Sequence, residues 1–437
     1  MREIRIGILG FGTVGTGVIE GLFKNKDIIS SRTNIIPIIS KICDIDITTD
    51  RGIAIPEKIL TTDAESIIYD ESIDIIVELI GGTAVAKDLV IKALSIGKPV
   101  VTANKALLAK HGRELFVLAD EKDTGIYYEA AVGGGIPLIN SIRNGLVGNE
   151  INEIYGILNG TCNYILTKME EERLSFEIVL KEAQKLGYAE TPPDLDINGE
   201  DTSHKAIILA SMVHGIPENI NYNVIGITNI SDQDIIFVDE LGYRIKLLAI
   251  IKKYNEKIEI SVEPTLIPKE NMIASVNDSF NAVYIQGDIV GKTMFYGRGA
   301  GSLPTGSAVI SDIIDAANNV LNDVGTPQNI TIMLQDRKVD YISSAEVKKR
   351  CYIRLLLKDI PGSMAQILNI LAKNNINVAS VIQKEQHQNN SVPVVILTEF
   401  ANEHQFKQAL LNIASLSNCV QDIPVRLRIE DFEDESC

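Results

Sequence analysis

Cysteine is scarce in this sequence and scattered. Cys43, Cys162, Cys351, Cys419 and Cys437 are the five among 437 residues, and they form neither a C-x-x-C pair nor a zinc-type spacing. No apolar run reaches the roughly 18 residues a membrane span needs. The opening MREIRIGILGFGTVG enters a buried-strand pattern at once, without the apolar h-region of a secretory signal, so a cytoplasmic location is expected. No Lys/Arg cluster of the size a nucleic-acid surface needs appears, and the formal net charge of -17 at pH 7 argues against a nucleic-acid partner. H-E-x-x-H and G-x-S-x-G are both absent, which disfavours the commonest hydrolase chemistries. What is present is a composition 45% hydrophobic and 23% charged, typical of a globular protein, in a chain long enough for about two to four domains.

Strands and helices alternate at first. Residues 4–9, 35–42, 73–80, 99–102 and 127–130 read as strands, with helices from Val14 and over 87–95. That alternation predicts a doubly wound parallel sheet, and IDIIVELI has the near-continuous apolar character of a strand covered on both faces. After Gly133-Gly134-Gly135-Ile136-Pro137 the pattern becomes mixed α/β: helices over 139–146, 162–171, 176–186, 201–213 and a long one over 234–255, with extended pieces at 151–157, 258–264, 282–287 and 290–296. A helix at 307–321 is a candidate to return to the first domain. After the polar stretch 335–344, a third unit reads strand 351–357, turn 358–362, helix 363–374, strand 378–385, loop 386–391, strand 393–400, helix 403–415, strand 425–430. This is the βαββαβ order of a ferredoxin-like module. The expected domains are therefore 1–130, 131–330 and 345–432.

Gly10-Phe11-Gly12-Thr13-Val14-Gly15 is a G-x-G-x-x-G that follows a strand and opens a helix. Gly10 permits the tight turn, Gly12 lets the backbone approach a pyrophosphate and Gly15 lets helix and strand pack closely, so a dinucleotide is expected. An acid at the end of the second strand would favour NAD and a base NADP. Lys41 and Asp44 are both candidates, and the choice stays open. Thr102-Ala-Asn104-Lys105 follows the fourth strand, at the end that lines a cofactor crevice, where Lys105 is a proton carrier or a solvated lysine. Asp201 and Lys205 share a helix face, preceded by Glu190, Asp194, Asp196 and Glu200. That acidic group suits a cation or a substrate ammonium, or is a solvated loop. The three glycines after Glu129 could surround an ion or act as a hinge.

Together these pieces resemble homoserine dehydrogenase. The resemblance is carried by GILGFGTVG (7–15), VELIGG (77–82), GKPVVTANKALLAKHG (97–112), EAAVGGGIPLI (129–139), GILNGTCNYILTKM (156–169), LGYAETPPDLDINGEDTSHK (186–205) and GRGAGSLPTGSAVISD (297–312), in order over nearly the whole chain. It implies reversible hydride transfer between L-homoserine and L-aspartate 4-semialdehyde with NAD or NADP, on the route to threonine, methionine and isoleucine. By that resemblance Lys205 polarises the carbonyl and Lys105 carries the proton, an assignment the family pattern does not settle between them. Asp201 orients the substrate, Glu190 meets its amino group, and Asp196, Gly160 and Thr161 join the same pocket. Gly81, Thr102, Asn104 and Gly301 would join the cofactor contacts. Glu129, Val132, Gly134 and Ile136 correspond to a structural Na+ or K+ site. Two departures stand out: Pro192-Pro193 where the family often has Asp-Pro, and Gly306 where alanine is common.

The C-terminal segment resembles an ACT domain through KDIPGSMA (358–365) and NVASVIQ (377–383). This implies an amino-acid effector near Asp359 and Gly362, with threonine the expected inhibitor, and pairing into a homodimer or homotetramer. Two rivals remain. An aspartate-semialdehyde dehydrogenase would need a cysteine nucleophile, for which Cys162 is the one cysteine beside a motif. An amino-acid sensor on an inactive scaffold is disfavoured by intact Lys105, Glu190, Asp201 and Lys205.

Overall fold

The computed structural model describes residues 1–216, 222–255, 257–325, 340–383 and 391–432. Most of the expected loop 386–391 and part of the polar stretch 335–344 lie outside the described residues. The chain forms two compact units, Met1–Glu153 with His204–Glu218 and Phe280–Val339, and Ile154–Ser203 with Asn219–Ser279 and Asp340–Cys437.

The first unit is an N-terminal Rossmann fold. Its strands are β1 (Arg2–Leu9), β2 (Ile35–Cys43), β3 (Leu60–Thr61), β4 (Ile75–Glu78), β5 (Val100–Thr102) and β6 (Ile126–Tyr127). The helices between them are α1 (Thr13–Lys24), α2 (Lys26–Thr33), α3 (Glu65–Ile68), α4 (Ala84–Ser95) and α5 (Lys105–Glu121). The strands order as β3-β2-β1-β4-β5-β6, with every pairing parallel. The order reverses between β1 and β4, which opens a crevice at their C-terminal ends. Ile6 and Ile8 of β1 with Ile75 and Val77 of β4 on one face, and Leu9 with Ile76 on the other, are solvent-free, as a sheet covered on both faces requires.

The helix Ser302–Leu321 does return to this unit: Val309, Ile313, Ala316 and Ala317 join the core of β1 and α1. Close approach explains Gly306, where a Cβ would lie 2.7 Å from the Gly17 carbonyl carbon of α1. The departure from alanine is thus matched by a tight helix crossing. The hairpin Phe280–Gly287 with Gly291–Arg298 completes the unit.

The second unit mixes helices with a sheet. The expected helix over 234–255 is corrected: the helix ends at Glu240, and Tyr243–Tyr254 is a strand paired antiparallel with Lys257–Pro268. Gly242, at φ 82, breaks the helix. The run from Ile245 to Ile251 is buried on both faces, and its apolar continuity could not tell strand from helix. The C-terminal module has the expected βαββαβ order. Its strands Val425–Ile429, Lys348–Lys358, Ser391–Thr398 and Val378–Gln383 lie side by side in the ferredoxin-like arrangement. Helices Ser363–Lys373 and Glu403–Ala414 cover it through Ile367, Leu371, Phe406 and Ile413. This module shares a unit with the preceding segment because its last strand pairs in parallel with Lys257–Pro268, at Thr265↔Arg428 and Leu266↔Ile429.

Candidate active site

Two clusters emerge, one around the glycine turn and one around Asn159. The first surrounds the glycine turn. Gly10 has φ 107, and a Cβ there would meet the Leu79 carbonyl oxygen at 2.5 Å. At Gly15 a Cβ would come 2.3 Å from the Gly10 carbonyl oxygen. These two glycines serve the protein's own packing. Gly12 differs, since a Cβ there meets no protein atom, and it is exposed at the N-terminus of α1 with no side chain capping the helix. Exposed Thr13 and half-buried Val14 continue the turn, while Phe11 is buried. Uncapped amides at a helix start attract a phosphate, so the turn fits a dinucleotide. Gly301, at φ 121, precedes Ser302, whose hydroxyl donates to the Thr13 carbonyl at 2.8 Å.

At the end of β2 the two candidate residues take different partners. The Lys41 amine is 3.2 Å from Asp70 and donates to the Ser66 carbonyl. It is Asp44 that reaches the glycine turn, accepting the Phe11 N–H at 2.6 Å. The Arg51 guanidinium lies 4.6 Å from the centre of the Phe11 ring and 3.9 Å from the Asp44 carboxylate.

The ends of β4 and β5 are tied together. Glu78 accepts from the Thr102 hydroxyl at 2.6 Å and from the Ile80 N–H at 2.8 Å. The Asn104 amide N–H donates to Thr102 Oγ1 at 3.0 Å. Its side chain donates to the Ile80 and Gly82 carbonyls and accepts from the Leu107 N–H, capping α5. Lys105, half-buried, is the first residue of that helix. Gly81 is exposed in the turn beside it. Glu78 was invisible as a polar residue inside an apolar strand.

Deeper in this unit, the Glu129 carboxylate accepts the N–H groups of Ile139 and Asn140 at 2.8 and 2.7 Å, and its own N–H donates to Asp312 at 2.7 Å. Burial pushes the pKa of Glu129 up against those backbone bonds, and burial pushes Asp312 well up too, with Glu129 adding repulsion. Val132, Gly134 and Ile136 are buried beside it in sequence, with Gly134 at φ 56. Among the described residues no group of His, Cys, Asp and Glu has metal-holding geometry.

The second cluster is organised by a residue that sequence reasoning missed. Asn159 caps the helix Gly160–Glu172, accepting the Cys162 N–H at 2.8 Å. Its amide nitrogen donates to Asp196 at 2.8 Å and to Asp201 at 3.0 Å, joining two expected substrate residues. The signal was an asparagine directly before a helix start. The Thr161 hydroxyl donates to the Tyr188 carbonyl at 2.6 Å, anchoring the loop that carries exposed Glu190. Half-buried Lys205 stands on the helix Glu200–His214, which begins with Asp201 in its first turn. Cys162 is fully buried and its thiol donates to the Asp196 carbonyl, a structural setting rather than that of an exposed nucleophile. In the C-terminal module, Gly362 at φ 92 opens the helix Ser363–Lys373, and it and Asp359 are exposed.

The sequence models of known families agree with this layout. One described as the NAD binding domain of homoserine dehydrogenase matches residues 10–129, one described as homoserine dehydrogenase matches 137–314, and an ACT domain model matches 352–417. The homoserine dehydrogenase of Neisseria gonorrhoeae is 41% identical, covering 99% of this chain and 100% of that one. That of Bacillus subtilis is 37% identical, covering 98% and 99%. The crystal structure of a homoserine dehydrogenase from Thiobacillus denitrificans superposes with a TM-score of 0.91 at 38% identity, covering 99% of each chain. That of S. aureus homoserine dehydrogenase gives 0.75 at 33%, covering 98% of this chain and 99% of that one.

Proposed function

The chain belongs to the homoserine dehydrogenase family, whose NAD(P)-dependent interconversion of L-homoserine and L-aspartate 4-semialdehyde it carries out, and we propose how its residues divide that work. The dinucleotide lies with its pyrophosphate at Gly10–Gly15, beside Gly81, Thr102, Asn104 and Gly301. When bound, the nicotinamide supplies the hydride acceptor or donor. Lys205 polarises the substrate oxygen and Lys105 carries the alcohol proton, taking it in oxidation and returning it in reduction. Glu190 meets the substrate ammonium, and Asp201 orients it with Asp196, Gly160 and Thr161. The observation that carries the substrate half of this reading is the Asn159 amide, which gathers Asp196 and Asp201 at one helix start.

Glu129, with the segment of Val132, Gly134 and Ile136, is the site of a monovalent cation. The support is the pair of buried carboxyls Glu129 and Asp312, whose charged forms burial disfavours and such an ion would stabilise. Asp359 and Gly362 form the edge of an effector site for threonine, and the ACT module pairs protomers. The corresponding division of the chain is 1–130, 131–330 and 345–432. No helix among the described residues is long and apolar enough to cross a membrane.

The test is absorbance at 340 nm with NAD+ and NADP+ in turn, with and without L-homoserine, and then with L-threonine. Homoserine-dependent reduction ranks the cofactors, and a threonine effect abolished by Asp359→Ala supports the effector site. A silent assay in both directions from folded protein defeats the reading.

A further inference from the structure

Glu78 is the last residue of β4 and is wholly buried beneath the crevice. A carboxyl so placed is ordinarily matched to a cation. Its neighbours here are Leu9 across β1 and Thr102 across β5, with the Ile80 amide and the Thr102 hydroxyl as donors, all uncharged. Burial accordingly pushes its pKa up to about 7, against the pull of the bonds from Thr102, Ile80 and Asn104. The three residues before it, Ile75, Ile76 and Val77, are apolar and equally buried. A side chain of their kind would avoid the cost of burying a charge.

The directions of the hydrogen bonds show what the carboxylate does. Thr102 Oγ1 receives the Asn104 N–H, so its own proton goes to Glu78. The second Glu78 oxygen takes the Ile80 N–H. Asn104 closes the circuit by donating to the Ile80 and Gly82 carbonyls and capping α5 through the Leu107 N–H. The loop after β4 is thereby locked to the loop after β5, and α5 opens on Lys105. The circuit needs an acceptor-only group at its centre. A carboxamide would have to aim its NH2 at one of two donors, the Ile80 N–H or the Thr102 hydroxyl.

We propose that Glu78 is a positioning residue for hydride transfer, whose carboxylate holds the β4 and β5 loops in register so that Lys105 and the Gly81-Gly82 turn keep one geometry. This rests on the reading that Lys105 carries the substrate proton.

The experiment is Glu78→Gln in the full chain, assayed with L-homoserine and the cofactor the wild type uses. The kcat falls about 10- to 100-fold, the cost of misplacing a reacting group by roughly an ångström. The Kd of the reduced cofactor, read from its own fluorescence because the chain has no tryptophan, rises by a smaller factor than kcat falls, since the pyrophosphate contacts at Gly10–Gly15 are untouched, and the Tm at pH 8 is unchanged or higher because a buried charge is gone. The wild type loses kcat as pH falls through about 7, and the variant lacks that limb. Wild-type kcat in the folded variant overturns the proposal, as does a lower kcat with the acid limb retained and a lower Tm. If Glu78→Gln does not fold, Thr102→Val keeps the carboxylate but cuts the link to Asn104; it lowers kcat similarly, and wild-type kcat there overturns the proposal. Lys105→Met is measured beside them. Full activity in Lys105→Met defeats the underlying reading, whereas an inactive Lys105→Met beside a normal Glu78→Gln defeats only the positioning role.

Discussion

In the nucleotide-binding unit, Glu78, Glu129 and Asp312 are buried among mainly neutral donors, and burial pushes all three pKa values up. In the other unit, buried Glu259, Glu263, Glu403 and Glu430 face Arg428, Lys349, Arg426 and Lys252. Lys349 lies 2.7 Å from Glu263 and 2.9 Å from Glu403. Arg426 makes a two-pronged contact with Glu403 at 2.7 and 2.9 Å, and Lys252 lies 2.7 Å from Glu430. Arg428 contacts Glu259, Glu263 and Glu430 together. Burial alone would raise Glu263, but Lys349 and Arg428 outweigh it and hold its pKa down at about 2. The paired network knits Lys257–Pro268 to strands and a helix of the ACT module and serves the fold. The carboxyls without a cation partner cost stability and sit where loops must be shaped.

The harshest way to break that contrast is Arg428→Met. It strips the shared guanidinium from three buried glutamates and should cost about 3–5 kcal/mol in urea unfolding, or leave the protein insoluble. A loss under about 1 kcal/mol would mean that the network is not a structural keystone.

The pH dependence sharpens it, because the signs are opposite. Glu78 rises from 4.5 to about 7 on folding, so the folded state holds its proton more tightly. Its region loses stability as pH climbs through that window, in total roughly 3 kcal/mol. Glu263 falls from 4.5 to about 2, so its contribution is present above its unfolded value and is lost as pH drops towards 2. Hydrogen exchange at pH 5 to 8, corrected for intrinsic rates, should show β4 and β5 losing protection relative to Lys257–Pro268. Parallel behaviour would erase the distinction.

A smaller effect separates packing from ligand approach within the first unit. Gly306→Ala forces a Cβ against Gly17 and should cost about 1–3 kcal/mol in thermal unfolding. Gly12→Ala meets open space, so it should leave the Tm in place and raise the cofactor Kd. The smallest effect belongs to a surface trio. Lys92→Ala removes contacts to Glu65 and Asp88 and should leave the Tm within experimental scatter, unlike any member of the buried network.

The glycine turn, the helix Ser302–Leu321 and the βαββαβ tail were legible because each rests on a local pattern: a spacing, an apolar period, a turn residue; where that helix packs was decided only in the fold. The strand Tyr243–Tyr254 was not. Its apolar run suits helix or strand alike, and pairing with Lys257–Pro268 decided between them. Asn159 was legible only as a cap; its grip on Asp196 and Asp201 spans 37 and 42 residues.

By itself, then, the sequence determined turns such as those at Gly10 and Gly362, both left-handed in φ, and which faces must be apolar, since φ preference and hydrophobicity travel with the residue. Tertiary structure alone decided which charges are paired. Glu78 meets Thr102 across 24 residues and Glu259 meets Arg428 across 169. The state of a buried carboxyl depends on which dipoles and ions the fold brings within reach, and no local pattern carries that information.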